Sequence, residues 1–312
     1  MLESPKTGAK ARSRRAVQPE RPAPRLNPAM PCDTAFRIVA RQHLARLSEQ
    51  HDGACTGDPE ALHQMRIALT HLRTSIVFFS PMVADPLYPQ IREELKWLNR
   101  ETGEVRDLDV AIARITASNP VHPQAIPGLQ TWLKKRAEGH RRLARLLRSA
   151  RYRRLMEQTL AWVESGPWCT KRSKQAAKER ARPIADYGAS KLGQWEQKLL
   201  RKSRRLVRLD ARKRHRLRLL NKKLTYSIES LKELFEDKEF AKQKVALKHL
   251  RKAQRSLGQL NDNARGQALA AALRRDGVET PLQFFGAKRE KNLLQATQSA
   301  YRKLAKLKPF RN

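Results

Sequence analysis

Two helical segments, about half the chain apart, carry the same pattern of histidine, basic and apolar residues. When His63 is aligned on His215, an arginine three residues later, a leucine nine later and an isoleucine thirteen later coincide. Apolar residues spaced alternately by three and four form one stripe along a helix. The repeat predicts a duplicated helical unit whose two polar faces meet across a shared groove, and the basic residues predict an anionic ligand.

The repeat extends to a glycine-containing segment further along each half. Gly103-Glu-Val-Arg-Asp107 begins 40 residues after the first histidine, and Gly258-Gln-Leu-Asn-Asp262 begins 43 residues after the second. We expect a glycine turn at Gly103 and a tight helix–turn–helix junction in both halves. The aspartates then have two possible roles: they cap the following helix or anchor a cavity arginine.

The net charge narrows the class of partner. The 312 residues include 66 Lys+Arg against 30 Asp+Glu, which gives a formal charge of +36 and a pI near 11.1. Such a field attracts polyanions and makes their binding salt-dependent. Nucleic acid, inorganic polyphosphate and anionic membrane surfaces are the candidates. The hydrophobic content of 40% is enough for a sizeable core, so we expect a folded protein with a basic surface.

Cysteine usage and hydropathy indicate the compartment. The three cysteines are far apart and form no Cys-x-x-Cys pattern, which fits neither a disulfide framework nor a zinc site. No apolar run reaches the length of a membrane span, and the first residues contain no hydrophobic core typical of a secretory signal. We therefore expect a cytoplasmic protein.

The chain divides into a basic tail and one helical region. Residues 1–31 are rich in Pro, Arg and Ala, which predicts a disordered tail. From residue 32 to 310 the periodicity is helical, with no alternating run long enough for a sheet. We expect an all-α domain in two four-helix-like halves, about 32–165 and 183–310, joined by a linker or weak helix over 168–182. The expected helices are about 33–50, 58–80, 90–101, 129–163, 184–207, 212–236, 239–257, 262–274 and 285–306, with a short one after Gly103.

Several motifs resemble the conserved-histidine α-helical domain (CHAD) family. In the first half these are His63-Gln-Met-Arg-Ile-Ala-Leu and Gly103-Glu-Val-Arg-Asp-Leu-Asp; in the second they are His215-Arg-Leu-Arg-Leu and Leu257-Gly-Gln-Leu-Asn-Asp. The resemblance covers roughly residues 33–310. It implies two four-helix bundles related by a pseudo-twofold axis, a basic central cavity that binds inorganic polyphosphate, and no catalysis by the domain itself.

The chain departs from the family pattern at three positions. Thr70 and His71 stand where the family usually has two arginines, and Thr225 stands where it usually has an arginine before the tyrosine. These losses weaken the transfer of a binding role to those positions.

The candidate binding residues are the cations and histidines that recur in both halves. Arginine and lysine at spacings of three and four place one cation per helical turn, a rise of about 5.4 Å, which suits a chain of phosphates. A single arginine of this kind could equally lie on a solvated face, and each histidine could instead cap or position a neighbour. The predicted polyphosphate-binding residues are His63, Arg66, Arg73, Lys96, Arg100, Arg106, His215, Arg218, Lys222, Lys223, Arg251 and Arg255.

Other functions have weaker support in the sequence. A general nucleic-acid-binding protein that uses the tail and the basic helices is the alternative, although no recognition motif or aromatic stacking platform appears. The family resemblance implies a third possibility, association with polyphosphate or polyester storage granules. We expect no enzyme activity and no cofactor, because no Gly-x-x-x-x-Gly-Lys loop occurs. We also expect no metal, since His63 and His71 lack a third ligand nearby.

Overall fold

The computed structural model describes residues 25–118, 128–170, 173–234, 237–275, 277, 284–307 and 310. Within these ranges the regular secondary structure is helical and no strand is present, which confirms the predicted all-α class. None of the described helices is apolar over a length that would cross a membrane. The α-helices are α1 (Cys32–Glu49), α2 (His51–Thr56), α3 (Pro59–Phe78), α4 (Ser80–Val83), α5 (Tyr88–Ser118), α6 (Leu129–Leu147), α7 (Ala150–Ser165), α8 (Lys174–Ala181), α9 (Ile184–Ser203), α10 (Ala211–Ser230), α11 (Asp237–Arg275) and α12 (Ala287–Leu307).

Polar caps start the two helices that carry the repeated histidine motif. The Asp58 carboxylate accepts a hydrogen bond from the backbone N–H of Glu60 at 2.8 Å, and Pro59 occupies the first turn of α3. The Asp210 carboxylate accepts from the backbone N–H of Lys213 at 2.7 Å at the start of α10. Such caps satisfy backbone donors that lack a partner within the helix, so both starting points are encoded locally.

Several predicted helix boundaries were wrong, most importantly those at the glycine motifs. Helix α5 continues through Gly103, and α11 continues through Gly258, so neither glycine forms a turn. The two aspartates of these motifs therefore lie inside helices and cap nothing. Other differences are smaller. The long helix expected over 129–163 is divided at Ser149, which caps α7. The segment 168–182, expected as a linker or weak helix, contains the short helix α8.

The last residues of the expected disordered tail are packed on the domain. Leu26 is buried, and its backbone N–H donates to the Glu233 carboxylate at 3.0 Å. The backbone N–H of Ile184 donates to the carbonyl of Met30 at 2.9 Å. These contacts tie the segment to the turn after α10 and to the start of α9, so the predicted boundary of the disordered tail at residue 31 is too late. The rest of the expected tail, residues 1–24, lies outside the described residues.

Both halves of the chain share one main apolar core. The buried residues of the described chain form a contiguous cluster that includes Leu69 and Ile76 of α3 and Leu217 and Leu224 of α10. A smaller cluster around Trp132 joins α5, α6 and α11. Helix α3 packs against α1, α5 and α10, while α10 packs against α9 and α11. These contacts bring the two histidine helices together; the pseudo-twofold relation of two four-helix bundles stays a prediction.

Two histidines are buried where α1, α3 and α10 meet. The rings of His43 and His71 lie 5.0 Å apart, and His71 stacks on Tyr226 at 4.1 Å between ring centroids. His43 also hydrogen bonds with the Ser230 hydroxyl at 3.2 Å. Burial lowers the pKa of His43 to about 3 and that of His71 to about 4. Both imidazoles are therefore neutral in the folded protein at neutral pH.

This buried pair predicts an acid-sensitive fold. In the unfolded chain the two imidazoles regain an ordinary pKa, so the unfolded state binds more protons once pH falls below about 6.5. The free energy of unfolding should consequently decrease as pH falls from about 6.5 towards the folded values. Replacement His43→Leu should reduce this slope by up to about 1.4 kcal/mol per pH unit. Chemical denaturation of the parent protein and the variant between about pH 7 and 5 measures the two slopes. Equal slopes of the free energy of unfolding against pH would contradict the prediction.

Candidate anion-binding cavity

A cavity of about 670 Å³ lies between α3, α5, α10 and α11. We call it the cation cavity because seven arginine and lysine side chains line it. Helices α3 and α10 provide half-buried cations, whereas those of α11 are exposed. The buried floor therefore faces an open rim, and a ligand can reach the floor from the α11 side. The seven cations are Arg66, Arg106, Arg218, Lys222, Arg251, Arg255 and Arg265.

Arg66 is the most constrained cation contributed by α3. Its Nη1 donates to the carbonyl of Asn99 at 2.9 Å and to the Thr102 hydroxyl at 3.0 Å. A Cβ placed on Gly103 would lie 3.2 Å from the same Nη1, so the glycine leaves room for the guanidinium. Burial lowers the pKa of Arg66 to about 10, and Arg265 and Arg106 add to the effect against the opposing Asp107.

Arg218 and Lys222 provide the corresponding charges from α10. Burial lowers the pKa of Arg218, while burial together with Arg218 and Arg66 lowers the pKa of Lys222 to about 8. No hydrogen-bond acceptor among the described residues contacts the buried Nε of Arg218. A desolvated donor without an acceptor costs free energy, which an anion in the cavity would recover.

Two carboxylates, Asp107 and Asp262, also line the cavity. Asp107 forms an ion pair with Arg265 and thereby connects α5 to α11. Burial raises the pKa of Asp107 even though Arg265 and Arg66 oppose the shift. This contact agrees with the second role considered for the aspartates, the anchoring of a cavity arginine. The lining remains strongly positive because the cations outnumber these two acids.

The two repeated histidines differ in their positions. His63 lines the cavity, and burial and Arg106 lower its pKa, which favours the neutral imidazole. His215 is not among the lining residues; its Nδ1 hydrogen bonds with the Asn261 side-chain oxygen at 2.7 Å. This contact connects α10 to α11, and the binding or positioning role of His215 stays a prediction.

Lys96 and Arg100 do not line the cavity, contrary to the expectation from the glycine spacing. Their side chains are 63% and 62% exposed. They pair with Glu93 at 3.0 Å and Glu101 at 2.9 Å, respectively. The α5 residues that line the cavity are Arg106, Asp107 and Val110, which lie further along the helix, so the side chains of Lys96 and Arg100 end in solvent beside the cavity.

Arg73 and Lys223 belong to a second group of cations outside the cavity. We define the second cluster as Arg73, Arg92, Lys198 and Lys223, from α3, α5, α9 and α10. Burial lowers the pKa of Lys223, and Arg92, Lys198 and Arg73 lower it further. Burial and Arg92 also lower the pKa of Arg73, against the opposing Glu93. Four helices thus direct like charges to one place, and neither Arg73 nor Lys223 lines the cation cavity.

The remaining predicted cations, Arg106, Arg251 and Arg255, do line the cavity. Arg106 donates to the carbonyl of Pro59 at 3.2 Å, and Arg251 binds the Glu229 carboxylate at 2.7 and 3.1 Å. The sequence reasoning missed Arg265. The signal was present, since residues 251, 255, 258, 262 and 265 follow the 4-3-4-3 spacing of one helical face. Had α11 been predicted as one continuous helix, this spacing would have placed Arg265 on the same face as Arg251 and Arg255.

The two repeated glycines predict unequal responses to an added methyl group. A Cβ added at Gly258 would have no heavy atom of a neighbouring residue within 4 Å. The higher helix propensity of alanine in Gly258→Ala should therefore raise the free energy of unfolding by about 0.5–1 kcal/mol. Gly103→Ala should gain less, because its Cβ crowds the Arg66 guanidinium at 3.2 Å. Denaturation of the two variants beside the parent protein tests this, and equal gains would show that Gly103 has no packing role.

No cluster of three or more histidine, cysteine or acidic side chains suited to a metal ion occurs among the described residues. The CHAD domain family model matches residues 38–271. A crystal structure of the CHAD domain from the plant Ricinus communis superposes with a TM-score of 0.69 at 23% identity, over 91% of this chain and 90% of that one. No curated protein matches the chain.

Proposed function

Because this chain belongs to the CHAD domain family, we propose that it is a non-catalytic protein that binds inorganic polyphosphate in the cation cavity. The observation that carries the proposal is the convergence of seven cations, some of them half-buried, around one open space. Holding like charges together out of water is unfavourable unless an anion compensates them. Burial, and after it the repulsion of neighbouring cations, lowers the pKa values of Arg66 and Lys222, and a bound polyanion would compensate both effects.

A polymer suits this cavity better than a single phosphate. The cations lie on four helices, and successive ones on a helix face are separated by about 5.4 Å per turn. One phosphate can reach only a few of them, whereas a flexible chain with about one charge per residue can contact floor and rim together. Arginine binds phosphate oxygens through paired donors without any need for base recognition.

Charge removal in the floor should be far more damaging than the same removal on the surface. We expect Arg66→Gln combined with Arg218→Gln to weaken polyphosphate binding at least about 100-fold, since each desolvated charge-assisted contact contributes roughly 1.5–3 kcal/mol. The exposed residues Arg201 and Arg205 provide the control. Their double glutamine variant, with the same net charge, should lose less than about 5-fold. Titration calorimetry at constant salt measures both, and similar losses would contradict a defined site.

Lys222 makes the binding dependent on pH. With its pKa lowered to about 8 in the free protein, the ammonium loses its proton as pH rises through that value, while a bound phosphate chain favours the charged form. Affinity should therefore fall above about pH 8, by up to roughly 10-fold per pH unit for one proton. Lys222→Arg should flatten the profile, because arginine stays charged. A parent profile that is equally flat from about pH 7 to 9 would remove Lys222 from the site.

The alternative is a nucleic-acid-binding protein, and one observation favours it. Exposed cations follow one face of α6 and its C-terminal cap, namely Lys134, Arg141, Arg145 and the cap residue Arg148. Their spacing spans about 21 Å of helix and would suit a nucleic-acid backbone. We expect duplex DNA to displace labelled polyphosphate poorly when competitors are compared at equal phosphate concentration. Equal competition would instead favour the alternative. Granule association remains part of the proposal, to be tested by microscopy of a tagged protein with and without cellular polyphosphate.

A further inference from the structure

A second cavity, of about 430 Å³, adjoins the cation cavity. It lies between the end of α5, the middle of α11, residues 284–286 and the first turn of α12. Gln259 and Asp262 line both cavities, so the two spaces are contiguous. We call the second one the aromatic pocket; its lining includes Arg114, Gln259, Asp262, Phe284, Phe285 and Arg289.

The aromatic pocket combines two phenyl rings with two guanidinium groups. Phe284 and Phe285 are both half-buried, and the Arg289 guanidinium lies 5.3 Å from the centroid of the Phe285 ring. Arg289 also donates to the Gln259 side-chain oxygen at 3.3 Å, and Arg114 donates to the carbonyl of Asp262 at 3.3 Å. The phenyl rings and the polar groups at the boundary thus face one space.

Core packing accounts for one of the two rings. Phe284 packs against the small apolar cluster around Trp132, which gives it a structural role. Phe285 belongs to neither apolar cluster among the described residues. Its backbone N–H donates to the Asn263 side-chain oxygen at 3.3 Å, so the residue is held at the pocket without being part of the core.

Inorganic polyphosphate has no apolar portion, so it gives no reason for a phenyl ring beside its site. A ligand that joins a flat aromatic ring to a short phosphate chain matches both cavities, because aromatic side chains stack on bases and arginines bind phosphates. We propose that the aromatic pocket binds the base of a nucleoside polyphosphate whose phosphates enter the cation cavity. Gln259 and Asp262, at the boundary, provide polar groups for the sugar or the edge of the base. The phosphate half of this ligand rests on the proposed function.

The test compares two ligands that differ by a nucleoside. Adenosine triphosphate and inorganic tripolyphosphate contain the same number of phosphorus atoms, but tripolyphosphate carries more negative charge. Charge alone therefore predicts tighter binding of tripolyphosphate. We expect the reverse order for the full chain, with adenosine triphosphate bound about 10-fold more tightly because of base stacking. Calorimetry without divalent cations measures the ratio, and equal or weaker binding of the nucleotide overturns the inference.

Variants at Phe285 locate the effect. Phe285→Ala should abolish the roughly 10-fold preference for the nucleotide and leave tripolyphosphate affinity unchanged, while Phe285→Trp should retain the preference. Phe285→Leu, which keeps apolar volume without an aromatic face, replaces the alanine variant should the latter fail to fold. A preference that survives both Phe285→Ala and Phe285→Leu overturns the inference.

The outcomes separate the two proposals. If long-chain polyphosphate fails to bind the full chain, the proposed function fails whichever short ligand is preferred. If long-chain polyphosphate binds but the nucleotide has no advantage over tripolyphosphate, only the assignment of the aromatic pocket fails. The Arg66→Gln and Arg218→Gln pair should weaken both short ligands alike, since neither residue lines the aromatic pocket.

Discussion

The packing of α3 against α10 is the constraint on which the rest of the structure depends. Each helix has one apolar face in the shared core and one basic face towards the cation cavity. Burying the apolar stripes brings Arg66, Arg218 and Lys222 close together. The lowered pKa values of all three show that burial disfavours their charged forms. Hydrophobic burial, which is proportional to area, can offset an electrostatic penalty of this kind.

Helices α5 and α11 limit this electrostatic penalty and fix the positions of the charged groups. Backbone carbonyl and hydroxyl oxygens of α5 hold the Arg66 guanidinium, so its orientation does not depend on a ligand. Asp107 of α5 pairs with Arg265 of α11 and bridges the two halves at the cavity. A hydrogen bond between His215 and Asn261 links α11 to α10 as well. A site with such fixed donors loses little freedom when an anion binds, which favours affinity.

The sequence was sufficient for the helical class, the family resemblance and much of the cavity, because the helical spacing determines which side chains share a face. Its main error came from treating glycine as a helix terminator. Gly103 lies inside α5, where the close approach of Arg66 favours a residue without a side chain, and no local pattern reports a contact between residues 37 positions apart. The same error hid Arg265. Arg73 and Lys223 are separated from the cavity by the way in which four helices cross, and helix propensity does not specify crossing angles.

The continuity of α5 has a mechanical consequence. Its 31 residues form a rod of about 46 Å, and α11, with 39 residues, forms a longer one along the other side. Two uninterrupted rods cannot hinge beside the cavity as a loop would. The protein therefore offers a preformed trough. Under the proposed function, the conformational entropy lost on association would fall on the flexible polymer rather than on the protein.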